Sequence, residues 1–139
     1  MMYYDDDQFI GEIRIFAGDF APRGWAFCDG SPLSGQKNPA LFTLLYERYG
    51  SINSDTVRLP DLRSRVPIHN GVGDNLCIPY EIGDYVGTET VSDYKGLPSR
   101  YKAQSPTQFK AIPANQSLIQ PVLAVNFIIA LEGYFPQRP

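Results

Sequence analysis

Near its C-terminus the chain reads Val122-Leu123-Ala124-Val125-Asn126-Phe127-Ile128-Ile129-Ala130-Leu131, set between Pro121 and a Glu132-Gly133 turn. A bilayer span needs about 20 apolar residues, so membrane insertion is not expected of this run. Its length and β-branched content favour a strand buried on both faces over a helix. Such a strand, reached last along the chain, is expected to fill the middle of the core and close the fold. Phe127 is read as core. Asn126 is the one polar residue in the run, and a buried amide without a hydrogen bond costs about 1–3 kcal/mol. It is therefore read as a core residue that clamps a neighbouring loop.

The rest of the pattern is that of short strands and turns. Phe9 to Phe16 reads as a strand, with Ile13 and Ile15 on one face and Glu12 and Arg14 on the other. A turn at Ala21-Pro22-Arg23-Gly24 leads into Trp25-Ala26-Phe27-Cys28, where the Trp25 ring is expected to fill the core, and Asp29-Gly30 supplies the next tight turn. One helix is expected over residues 38–50. Asn38 stands at its N-cap, Pro39 at the first helical position and Gly50 at its end, with Leu41, Leu45 and Tyr49 along one stripe and Phe42 and Tyr46 beside it. The charges of Arg58, Asp61, Arg63 and Arg65 are read as a salt-bridged loop in preference to an anion site. Residues 70–87 read as Gly-rich loops between short strands, and residues 92–115 as an extended aromatic segment that contacts another chain or covers its own domain. With 139 residues, 43% of them hydrophobic, the chain is expected to be mainly β (α+β with one short helix), a compact single domain over residues 9–139 with extensive ordered loops. Residues 1–8 form an acidic N-terminal arm before it.

Several blocks, taken in order, resemble the phage tail-collar family, which includes the microcystin-dependent proteins. Gly11 to Gly30, with its Pro22-Arg23-Gly24-Trp25 and Cys28-Asp29-Gly30, resembles the opening block. Asn38 to Leu45 resembles the family helix, Arg58-Leu59-Pro60-Asp61-Leu62-Arg63-Ser64-Arg65-Val66-Pro67 its most recognisable stretch, and residues 115–138 its end. The middle departs from the family. Where members carry a Pro-Ala-His-x-His segment and a long variable insertion, this chain reads Leu97-Pro98-Ser99-Arg100-Tyr101. The metal-binding histidines that the resemblance would imply are therefore not carried over.

The resemblance implies a structural role. The chain is expected to be a non-enzymatic, self-assembling subunit of an extracellular pilus-like filament or phage-tail-type fibre, with adhesion as an added role. A trimeric receptor-binding adhesin at a fibre tip and a carbohydrate-binding module are the alternatives. Expected partners are other copies of the chain, and a cell-surface glycan or receptor. At a net charge of −3 no nucleic acid partner is expected. An extracellular or virion location is expected without a recognisable signal peptide, because Met1-Met2-Tyr3-Tyr4-Asp5-Asp6-Asp7 lacks an apolar segment. Tyr3, Tyr4, Asp5, Asp6, Asp7 and Phe135 are the candidate assembly residues, the tyrosines for buried area and the aspartates for basic side chains. The extracellular setting favours a Cys28–Cys77 disulfide, closing a loop of about 50 residues and adding roughly 4 kcal/mol. A pair of free buried thiols is the alternative.

No catalytic, cofactor or metal site is expected. His69 is the sole histidine, and Cys28, His69 and Cys77 lack the fourth ligand and the spacing of a closed zinc site. Asp5 to Asp7 lack the alternation of a calcium loop.

Overall fold

The structure, a computed structural model, describes residues 7–87 and 120–139. Its elements are β1 (Ile13–Phe16), β2 (Trp25–Phe27), β3 (Pro32–Ser34), α1 (Pro39–Leu45), β4 (Ser51–Asn53), β5 (Thr56–Arg58) and β6 (Asn126–Ala130). The described fold is mainly β: two small three-stranded antiparallel sheets and one short helix. Tyr3, Tyr4, Asp5, Asp6 and the 92–115 segment lie outside the described residues.

The C-terminal run does close the fold. β6 is the middle strand of the order β1-β6-β2, antiparallel to both neighbours, with Ile13 opposite Ile129 and Ala26 also opposite Ile129. Successive residues of a strand face opposite sides. Ile128, Ile129 and Ala130 are nevertheless all buried, so this half of β6 is covered on both faces. Ile129 joins the main core with Ile10, Cys28, Leu33, Leu41, Leu45, Val57 and Leu59. The second sheet has the order β3-β5-β4 and carries α1. Its β4–β5 hairpin turns through an Asx contact, with the Asp55 amide donating to Asn53 Oδ1 at 2.9 Å.

The chain divides into two units, Met1–Pro67 with Ala124–Pro139, and Ile68–Leu123. Among the described residues, every strand and the helix belong to the first. The described part of the second consists of turns and one isolated bridge, in which Gly71 and Tyr80 exchange backbone hydrogen bonds of 2.7 and 3.0 Å. Within residues 70–87 the described chain forms loops and this one bridge.

Several expectations need correction. The first strand begins at Ile13, because Gly11 turns at φ +83 and the Glu12 amide donates back to the Phe9 carbonyl. The helix stops at Leu45, because Tyr46 takes φ +46 and swings out to 61% exposure. Asn38 makes no side-chain cap. The terminal strand begins at Asn126, and Val122, Leu123 and Val125 before it are exposed.

Trp25 is not core. It is half-buried and shares the face of Ile128 and Ala130, opposite the main core, where the Arg14 guanidinium lies 5.1 Å from the ring centroid. Asn126 is exposed, not buried, because it stands at the open first position of β6. It does clamp a loop, its Nδ2 donating to the Gly18 carbonyl at 2.7 Å. Phe127 packs against the core. Cys28 and Cys77 are both free thiols, so the disulfide is not formed. Cys28 is spent on core packing, and Cys77 is exposed in the second unit.

Candidate functional site

Two remote stretches of sequence meet where the sheets join. Asp29 pairs with Asp61 in an isolated antiparallel bridge. The Leu62 amide donates to the Cys28 carbonyl at 2.9 Å, and the Leu59 amide to the Ser31 carbonyl at 2.9 Å. Gly30 sits between them at φ +75, and a Cβ there would lie 3.3 Å from the Asp61 side chain. A left-handed turn pressed against a carboxylate favours glycine. The Asp29 carboxylate holds the turn by accepting from the amide and hydroxyl of Ser31.

Charge is organised around this turn. Arg63 meets Asp61 through two parallel bonds, Nε to Oδ1 at 2.8 Å and Nη2 to Oδ2 at 2.9 Å. The Arg63 side chain still exposes 69% of its surface. Arg58 Nη1 donates to the Gly30 carbonyl at 3.3 Å, and Arg65 Nη1 to the Arg63 carbonyl at 3.1 Å. Three guanidinium groups thus cluster on one turn, and the salt-bridged loop read from the sequence is formed. The hydrogen bonds from Arg63 hold the Asp61 carboxyl down to about 2, and Asp61 in turn raises Arg63.

Beside the turn opens a cleft of about 180 Å³. Phe27, Leu62, Val125 and Phe127 supply apolar walls, and Asp29, Arg63 and Asn126 supply polar ones. Cys28 also lines it. Burial, then the charge of Asp29, pushes the Cys28 thiol up to about 12. It stays protonated at neutral pH and is a poor nucleophile. Among the described residues no three His, Cys, Asp or Glu side chains are grouped to hold a metal ion. No helix there is long and apolar enough to cross a membrane. At about 180 Å³ the cleft is smaller than the roughly 300–1,000 Å³ of a small-molecule site, and its lining mixes apolar walls with charge.

Of the candidate assembly residues, Asp7 is exposed and Phe135 is 47% exposed. Neither lines the cleft. Sequence reasoning missed the cleft as a site. Each wall was visible separately, as the Cys28-Asp29-Gly30 turn, the Asp61–Arg63 stretch and the start of the terminal run.

The Phage Tail Collar Domain model matches residues 11–67. Comparison with curated proteins found no match. The matched segment contains β1 to β5, α1 and the arginine-bearing turn, while Val125, Asn126 and Phe127 lie beyond it. Residues 11–67 of this chain are therefore similar to the phage tail collar domain, a likeness that suggests a structural role in tail fibres.

Proposed function

We propose that this protein is a structural subunit that self-assembles through its N-terminal arm into a fibre, either a pilus-like filament or a phage-tail-type fibre, located outside the cell or on a virion. The collar-domain match carries this reading. Support comes from the root of the arm. Gln8 is 6% exposed; its Nε2 donates to the Glu132 carbonyl at 3.1 Å and its own carbonyl accepts from the Tyr134 amide at 3.0 Å. A buried anchor at Gln8 fixes the point from which the arm starts. Phe9, Tyr134 and Phe135 beside the anchor are exposed and apolar, as expected of a contact surface. A head-to-tail contact yields a filament when its rotation does not close, and a ring when it does. Fibre-borne adhesion to a surface glycan would follow from such display.

Sedimentation velocity and negative-stain imaging test the reading. The full chain is expected to form long particles. A chain lacking residues 1–7 but keeping Gln8 is expected to stay folded by circular dichroism and to sediment as a monomer. Particles of unchanged size after the deletion would place the assembly contact elsewhere, and compact trimers from the full chain would favour the tail-tip adhesin.

A further inference from the structure

We propose that the cleft between β2, β6 and the Asp61–Arg63 turn is the socket that receives the tyrosine-aspartate arm of a second copy of the chain. Such a socket rests on the self-assembly reading and is the surface that assembly would use.

Size and polarity fit a phenol ring. An apolar cavity of about 150 Å³ takes benzene, and this cleft measures about 180 Å³. Leu62, Val125 and Phe127 would flank the ring. Asp29 and Asn126 also line the cleft and carry acceptor oxygens that suit a hydroxyl. Asp29 Oδ1 already serves Ser31, yet a carboxylate has about four acceptor positions.

Charge suits the acidic residues next to the tyrosines. Tyr3 and Tyr4 precede Asp5, Asp6 and Asp7. The cleft is bordered by Arg63, and Arg65 and Arg58 lie around the same turn. A guanidinium carries five N–H donors, and Asp61 takes two from Arg63. A tyrosine seated in the cleft would place the next carboxylates near Arg63 and also near Asp29, so the arginines favour the arm only in part.

The self-assembly reading takes the arm from another copy. Gln8 is anchored to Glu132 and Tyr134, past the Ala130 end of β6. The cleft lies at the opposite, Asn126 end. From Val125 to Glu132, at a strand rise of about 3.3 Å per residue, is at most about 23 Å. The four residues from Gln8 back to Tyr4 extend at most about 14 Å. With its ring adding about 6 Å, the chain's own Tyr3 or Tyr4 reaches a comparable distance, so the isotope pattern of the cross-links below decides between the chain's own arm and a neighbour's.

Two experiments on the full-length protein test this. Benzoylphenylalanine in place of Tyr4, photolysed in a mixture of heavy-isotope-labelled and unlabelled chains, is expected to give mixed-isotope cross-links to peptides containing Phe27–Asp29, Leu62–Arg63 or Val125–Phe127. Cross-links confined to one copy, or to other surfaces, overturn the proposal. Val125→Trp fills the cleft from a position 40% exposed, and is expected to abolish the fast-sedimenting species without changing the melting temperature. Wild-type sedimentation by that variant overturns the proposal, and if the variant fails to fold the cross-links decide. A wild-type chain that stays monomeric at every concentration instead removes the self-assembly reading itself.

Discussion

Cys28 and Asp61 stand within one small region and are driven in opposite ways by their surroundings. Desolvation dominates Cys28, which is 4% exposed, and keeps its thiol protonated. Cys77 is exposed. Iodoacetamide is accordingly expected to add one carbamidomethyl group to the native protein, at Cys77, and two after denaturation. Intact-mass analysis checks this, and a native protein with no reactive thiol would restore the disulfide. At Asp61 a hydrogen-bonding partner dominates and the carboxyl is held down to about 2. A carboxylate lowered on folding stabilises the native state above its unfolded pKa, and that stabilisation is lost as pH falls through the folded value. The Asp61–Arg63 contribution is therefore whole above about pH 4 and disappears as pH falls through about 2. Solvent screens a pair this exposed, so the effect is small. Asp61→Asn is expected to lower the melting temperature slightly at neutral pH, and the gap from wild type is expected to narrow as acid is added. A gap that widens in acid would contradict the assignment.

At the scale of elements, β6 carries the sheet, and its positions are unequal. Ile129 is 1% exposed in the core, so Ile129→Ala is expected to cost about 2–5 kcal/mol. Asn126→Ala removes one exposed hydrogen bond to Gly18, worth about 0.5–1.5 kcal/mol. Trp25→Ala falls between them, because a half-buried ring loses part of its covered area and a cation–π contact of about 0.5–1 kcal/mol. Urea unfolding of the three variants checks the order, and a Trp25 loss as large as that of Ile129 would return the indole to the core. The central place of β6 was legible because unbroken apolar sequence has no other home in a chain of this size. Its start was not, since Val122 and Val125 are as apolar as the strand residues after them and yet remain exposed. The helix stripe of Leu41 and Leu45 was legible from periodicity. Its end was not, because no residue type at 46 demands a left-handed backbone. Tyr46 adopts one while the chain turns toward β4, whose hairpin also carries no Asn-Gly or Asp-Gly signal.

For the whole molecule, the turn and its arginines were legible as local sequence, but the cleft they border was not. Its walls come from residues 27–29, 62–63 and 125–127, and only the closure of β6 between β1 and β2 brings the last of these to the first two. If the arm seats in this cleft as proposed, the same geometry predicts which chemistry dominates the contact. Burying a tyrosine ring yields roughly 1.5–3 kcal/mol before entropy costs. A carboxylate meeting an arginine as exposed as Arg63 adds only about 0–1 kcal/mol, and salt screens it over about 8–10 Å. Replacing Tyr3 and Tyr4 by Ala is therefore expected to weaken assembly nearly as much as removing the arm. Asp5, Asp6 and Asp7 changed together to Asn should raise the critical concentration only a few-fold. Added salt should shift the wild type modestly and the Asn variant hardly at all. Critical concentrations from sedimentation at low and high salt decide the matter. A triple-Asn variant that no longer assembles, or a double-Ala variant that assembles normally, would make charge and not ring burial the basis of the contact.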